Sequence, residues 1–168
     1  LRRGVIRCVG DPAERFAEDA LRMLRALRFA ARLSFRIDGE TAAAIHAARA
    51  GLRAVAPERL HKELSGILCG RQAAALLEEF SDVLFELIPE LAPCQGFRQY
   101  NPHHTRDVWT HTLAVVDGVP PEEPLRLAAL LHDAGKPATF FFDKNLVGHF
   151  YGHPAAGAAV AEEAPVSW

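Results

Sequence analysis

The spacing of apolar residues is the strongest constraint on what this chain can fold into. Phe16, Ala20, Leu24, Leu27 and Ala31 recur every three or four positions and mark one buried stripe along a helix. Strand-like alternation is almost absent from the 168 residues, and alanine, the strongest helix former, is the commonest residue with 29 copies. An all-α fold follows. A hydrophobic content of 49% excludes a disordered tail or a collagenous repeat and is enough to bury a real core. Cys8, Cys69 and Cys94 are odd in number, far apart and outside any C-x-x-C pair, which argues against a disulfide framework and a thiolate zinc site. No apolar run nears the ~20 residues a membrane helix requires, and Leu1-Arg2-Arg3-Gly4 lacks a signal peptide's apolar stretch. The expected compartment is the cytoplasm, with no membrane partner. The chain does not begin with Met and closes on Ala164-Pro165-Val166-Ser167-Trp168 without a helix stop, so a piece of a longer protein is expected.

Local signals divide the chain further. Asp11, Pro12 and Glu14 read as an N-cap, a first-turn proline and a capping-box glutamate, opening a helix expected to run to about Leu33. Asp38-Gly39 predicts a turn, and Thr41 to Arg49 a second helix closed by Gly51. Pro57 opens a third, carrying Leu60, Leu64, Ile67 and Leu68 inward and stopping near Gly70. One or two short helices follow over 72–92, and the stretch from Pro93 through Gly96 to Pro102 is the best linker. Helices are expected around 106–117, 123–134 and 155–163, with an aromatic loop at Phe140-Phe141-Phe142.

Charge is uneven. Residues 1–71 hold 14 basic and 8 acidic groups, residues 72–168 hold 5 and 13, and six of the eight histidines fall within 103–153. A basic half suits a phosphate-bearing partner, and an acidic half with clustered imidazoles suits a metal; solvated helix faces would give the same counts. Within the basic half, Asp19, Arg22 and Arg25 are spaced by three, each displaced by about 60° around a helix axis, so they share one broad face that Arg28 can reach by curling back. A carboxylate accepts from an exocyclic amine, and a guanidinium donates to ring nitrogens or phosphate oxygens, so such a row can read a nucleotide from base to phosphate. The competing reading is a surface helix in which Glu18 pairs with Arg22, and Glu14 with Arg25 or its own cap.

The run Ile6-Arg7-Cys8-Val9-Gly10-Asp11-Pro12, Arg15-Phe16 and Glu18-Asp19-Ala20-Leu21-Arg22-Met23-Leu24-Arg25-Ala26-Leu27-Arg28-Phe29 closely resembles the neck of bacterial class II tRNA nucleotidyltransferases and related poly(A) polymerases. Pro57-Glu58-Arg59-Leu60-His61-Lys62-Glu63-Leu64 does so too, and the resemblance covers at least residues 4–92. It implies that the E-D-x-x-R element is a protein template for incoming CTP or ATP, with Asp19 and Arg22 reading the base and Arg25 and Arg28 supporting base or phosphate. Members of the family carry, upstream of this neck, a head with a Gly-Ser step and an Asp-x-Asp pair binding magnesium. The 168 residues contain no Gly-Ser dipeptide, and Asp38-Gly39-Glu40 reads as a turn and helix start, so no catalytic residue is assigned and the segment alone is expected to be inert as a transferase.

After the linker, His111-Thr112-Leu113, Leu131-His132-Asp133-Ala134-Gly135-Lys136-Pro137 and Gly152-His153-Pro154 together resemble an HD domain, a helical metal-dependent phosphohydrolase fold often fused to this family. The resemblance implies His111, His132 and Asp133 as ligands of a divalent transition metal or magnesium. His153 contributes at a second metal or substrate phosphate, with His149 as its competitor, and Lys136 is placed to contact a phosphate. Gly135, ending the helix, would let His132 and Asp133 turn toward one centre. His103 and His104 read as polar surface or capped groups. The family pattern closes on a further Asp, which nothing after Glu163 supplies, so a truncated or degenerate HD site is expected.

The expected organisation is therefore a helical neck and body over 1–92 followed by the N-terminal part of an HD domain over 93–168. The leading function is part of an enzyme adding or repairing the 3′ CCA end of tRNA, with tRNA, CTP and ATP as partners and no protein partner evident. A stand-alone HD phosphohydrolase acting on nucleotides or 2′,3′-cyclic phosphates, and a poly(A) polymerase sharing the neck, are the alternatives.

Overall fold

The computed structural model describes residues 4–100 and 105–163, which places His103 and His104 outside the described residues. It is helical throughout, with two small pairs of strands. A two-residue strand β1 (Val5–Ile6) pairs in parallel with β2 (Arg36–Ile37) and ties the start of the chain to the end of the second helix. Between them lie α1 (Pro12–Glu18) and α2 (Leu21–Leu33). Then come α3 (Gly39–Ala48), a 3-10 stretch over Arg49–Ala54, α4 (Pro57–Leu68), α5 (Ala73–Glu79), α6 (Ser81–Leu87) and a second 3-10 stretch over Pro89–Cys94. The remainder is α7 (Val108–Gly118), α8 (Glu123–Leu131), a short α9 (Lys136–Thr139), a hairpin of β3 (Phe141–Phe142) and β4 (Gly148–His149), and α10 (His153–Glu163). Among the described residues no helix is long and apolar enough to cross a membrane.

The apolar stripe read from the sequence is the centre of the core. Leu24 and Leu27 of α2 face Leu64 and Ile67 of α4, with Leu76, Phe80, Leu84 and Leu87 closing the space, and each of these side chains is buried. Burying one such side chain is worth roughly 1.5–3 kcal/mol. The core does not stop at the expected linker. It continues through Leu91 and Cys94 into Val108, Trp109, Val116 and Leu130; within the expected linker Cys94 and Gln99 are buried, while Pro93, Gln95, Gly96, Arg98 and Tyr100 are exposed. Buried Gln99 donates to the carbonyl of Arg106, and the N–H of Val108 donates to the carbonyl of Phe97. Ser65 Oγ and His61 Nε2 of α4 add a polar tie to the Glu123 carboxylate at the head of α8, at 2.6 and 2.8 Å.

Two local expectations are corrected. The helix expected from Pro12 to Leu33 is broken at Asp19, whose backbone is extended (φ −153°, ψ 101°). Its side chain explains the break: Oδ1 accepts from the N–H of Leu21, and its carbonyl accepts from the N–H of Arg22, so Asp19 caps α2 rather than continuing α1. Gly51 lies inside the 3-10 turn after α3 rather than closing a helix. The Asp11 cap holds as expected, its Oδ1 accepting from Ala13 N at 2.7 Å.

Candidate metal centre and arginine helix

The turn that follows α8 decides the geometry of the histidine half. His132 is its C-cap residue, and Asp133 and Ala134 pass directly into α9. Gly135 does not act through a left-handed backbone, since its φ is −79°. It permits close approach: a Cβ there would lie 2.7 Å from both the Ala156 Cβ and the Gly157 N and would strike the carbonyl of His153. The missing side chain lets α10 lie against the His-Asp turn, which brings His153 to it.

The structure brings His111, His132 and Asp133 together, with one potential ligand atom of each within 4.8 Å of the other two. Asp133 Oδ2 lies 3.1 Å from His132 Nε2 and 3.6 Å from His111 Nε2, and Oδ1 lies 3.7 Å from His153 Nε2. Backbone carbonyls set the rings. Nδ1 of His132 is 2.8 Å from the carbonyl of Ala129, and Nδ1 of His153 is 2.8 Å from that of Phe150, so in each ring the Nδ1–H donates and Nε2 is left as a lone-pair donor. His149 is not part of the group, because its Nε2 is held by Asp143 Oδ2 at 3.0 Å.

Lys136, expected beside a substrate phosphate, is instead buried. Its Nζ sits 2.7 Å from Asp133 Oδ2, donates to Gln99 Oε1 at 2.8 Å and faces the ring of Phe150. Burial alone would push the Asp133 carboxyl up; His132 and Lys136 outweigh it and hold the group well below the usual carboxylate range. Asp133 in turn raises His132, against an opposing effect of burial. Oδ2 is fully enclosed, with the Lys136 ammonium at 2.7 Å and the Nε2 atoms of His132 and His111 at 3.1 and 3.6 Å. An enclosed carboxylate oxygen with two imidazole nitrogens turned toward it is a donor set that fits a divalent cation. Ligands on a metal at about 2.1 Å must sit a few ångströms apart, so only a small contraction of the trio is needed. Three protein ligands would leave positions open for water or phosphate, as hydrolytic chemistry requires.

The arginine helix is divided into two groups. Arg22 Nη1 donates to Glu18 Oε2 at 2.5 Å and to the carbonyl of Arg15, and Asp19 Oδ2 accepts from Arg59 of α4 at 3.3 Å. Asp19 and Arg59 edge a cleft of about 830 Å³ walled by small residues such as Ala17, Ala44, Ala48 and Gly51. Arg25 and Arg28 pair with the two oxygens of Glu63, four residues along α4 from Arg59. Glu14 does not pair with Arg25, which is drawn to α4. Sequence reasoning missed Glu63, Arg59 and Gln99. The signal for Glu63 is its position between Leu60 and Ile67 on the inward face of α4, where a carboxylate needs a cation opposite.

Residues 34–94 match a family described as the probable RNA and SrmB-binding site of polymerase A, and residues 103–168 match the HD domain. The CC-adding tRNA nucleotidyltransferase of Thermus thermophilus is 40% identical over 163 residues, covering 88% of this chain and 37% of that protein. The chain is similar over most of its length to part of a tRNA nucleotidyltransferase. The A-adding tRNA nucleotidyltransferase of Deinococcus radiodurans is 35% identical over 176 residues, covering 97% of this chain and 40% of that protein. The CCA-adding enzyme of Ligilactobacillus salivarius is 37% identical over 118 residues, covering 66% of the chain and 29% of that protein. The chain thus spans between 29% and 40% of these tRNA nucleotidyltransferases, and the region it spans is an RNA-binding segment followed by an HD domain.

Proposed function

We propose that these 168 residues are the neck and body (1–92) and the first part of the HD domain (93–168) of a cytoplasmic enzyme that adds or repairs the 3′ CCA end of tRNA from CTP and ATP. The observation that carries this reading is the order of an RNA-binding region and an HD domain in one chain, aligned over 163 residues with a CC-adding relative. The alignment supports transferase chemistry over a stand-alone hydrolase. Asp19 and Arg22 read the incoming base. Cytosine and adenine both present an exocyclic amine beside a ring nitrogen, and a carboxylate with an adjacent guanidinium complements that pair of groups. A carboxylate offers about four acceptor positions, so Asp19 can cap Leu21, meet Arg59 and still take an amine. Arg25 and Arg28, set by Glu63, supply positive charge for base or phosphate. Magnesium would be held by carboxylates of the head that the family resemblance implies, and would supply charge neutralisation on the triphosphate.

The convergence of His111, His132 and Asp133 favours a second, attached activity, hydrolysis of nucleotide or 2′,3′-cyclic phosphates. There a divalent transition metal or magnesium would polarise a phosphate and activate water, with His153 as a further ligand or phosphate contact. The test is nucleotide addition by the full-length protein containing this chain. Given tRNA lacking its 3′ end, CTP, ATP and magnesium, it should extend the tRNA, and His132→Ala should leave extension intact while removing phosphohydrolase activity. Failure of the wild-type protein to extend any such tRNA overturns the transferase reading.

A further inference from the structure

The β3–β4 hairpin carries aromatic side chains on both faces. Phe140 and Phe142 lie on one, with their rings against Phe97, Tyr100 and Phe150, and Phe142 is itself 46% exposed. On the other face Phe141 stands directly across the ladder from His149, and Tyr151 follows two residues later on the same side. Their rings form a small stack. Phe141 and His149 are 5.6 Å apart at 29°, His149 and Tyr151 5.4 Å apart at 21°, and Phe141 and Tyr151 close the triangle at 5.4 Å. Packing does not require this: Tyr151 is 74% exposed and Phe141 42%.

The stack is held in place before any ligand arrives. Asp143 Oδ1 accepts from the N–H groups of Asn145 and Val147, fixing the turn, while its Oδ2 grips His149. Lys144 stands exposed in that turn. The hairpin is also joined to the metal group, because the carbonyl of Phe150, between His149 and Tyr151, accepts from Nδ1 of His153. A planar group on this stack therefore sits one short chain segment from His132 and Asp133.

We infer that Phe141, His149 and Tyr151 form a stacking platform for the base of a nucleotide whose phosphate is held at the His111–His132–Asp133 group, whether that nucleotide is free or is the last residue of an RNA. The inference rests on the metal reading of that group. An exposed π-surface takes any base, and a neighbouring cationic centre complements a phosphate. A triangle of three rings on a single hairpin suits one base rather than a protein surface.

The test titrates the 168-residue chain, in manganese, with 2-aminopurine riboside 5′-monophosphate and with a short RNA ending in 2-aminopurine. Stacking on the platform quenches the fluorescence of this base. Tyr151→Ala and Phe141→Ala, both at exposed positions, should weaken binding of the probe roughly tenfold, within the range expected for one lost base stack. Tyr151→Phe should bind like wild type, and circular dichroism should show all three variants folded. Quenching by the free nucleotide alone assigns the platform to small nucleotides, and equal or stronger quenching by the RNA assigns it to a chain end. Ribose 5-phosphate and 2-aminopurine riboside, titrated separately, tell failure of the platform from failure of the metal reading. Metal-dependent binding of ribose 5-phosphate with no gain from the base overturns the platform and leaves the metal group standing. Quenching by the 5′-monophosphate that is lost in Tyr151→Ala but indifferent to manganese upholds the platform and removes the metal group. Unchanged binding in both alanine variants overturns the inference.

Discussion

Glu63 spends one oxygen on each of two arginines, Oε2 on Arg28 Nε at 2.5 Å and Oε1 on Arg25 Nε at 3.4 Å, and so locks α4 to the helix that carries them. The carboxylate is 4% exposed, and the Arg28 stem lies against Gly66, where a Cβ would come within 2.9 Å of its Cγ. Removing one partner of a buried pair leaves the other charge unsatisfied. Glu63→Ala should therefore lower stability by about 2–4 kcal/mol, read as a lower urea midpoint with an unchanged slope. Arg25→Ala, at a half-exposed group, should cost less than about 1 kcal/mol. Equal losses for the two would show that Glu63 does not hold Arg28 as the structure indicates.

Much of this fold was legible in the residues, and what escaped did so for identifiable reasons. Helical spacing located the stripe of Leu24 and Leu27, the inward face of α4 and the Asp11 cap, all of which are local patterns. The break at Asp19 escaped because an aspartate inside an apolar period is compatible with a continuous helix until its side chain caps the next one. The burial of Gln99 within the expected linker escaped because Pro and Gly mark turns but say nothing of burial, which depends here on Lys136, 37 residues after Gln99. Motif company brought His111, His132 and Asp133 to notice, whereas the burial of Lys136 follows from tertiary packing alone.

Gly135 and Gly118 make a paired test of the turn. An alanine at Gly135 must displace backbone atoms of α10, whereas a Cβ at Gly118 meets nothing within 4 Å. Gly135→Ala should destabilise the chain by about 1–3 kcal/mol, as overpacking does. Gly118→Ala, at the end of α7, should be neutral or stabilising by up to about 1 kcal/mol. Thermal unfolding checks both, and a harmless Gly135→Ala would contradict the close approach of α10.

Burial pushes the Cys94 thiol up to about 12, with Asp133 and Asp107 adding to the effect. In the folded chain at pH 8, iodoacetamide should modify partly exposed Cys8 well before buried Cys94, and all three cysteines should react in denaturant. Mass spectrometry of the peptides gives the order. Equal native rates at Cys8 and Cys94 would contradict the burial of Cys94.

The metal group makes a two-way pH prediction. His132 is raised by Asp133, so in the metal-free chain this pair stabilises the fold fully below the ordinary histidine range and the contribution is lost as pH climbs through the raised value. Metal binding runs the opposite way, because Nε2 must shed its proton to become a ligand. Between pH 6 and pH 8 the metal-free chain should lose stability while the increment from added manganese or zinc grows. Asp133→Asn should abolish that increment. Stabilisation by metal that is independent of pH, or that survives Asp133→Asn, would place the ion elsewhere.

The template role of Asp19 and Arg22 is tested most directly by base selectivity in the full-length protein. With tRNA lacking its 3′ end, wild type should incorporate CTP and ATP over GTP and UTP. Asp19→Ala and Arg22→Ala should each lose that preference along with rate, since a discriminating hydrogen bond is worth about 1–3 kcal/mol and leaves its partner unpaired when removed. Variants that add slowly but choose CTP and ATP as faithfully as wild type would contradict the account, and the break at Asp19 would then be a structural joint alone.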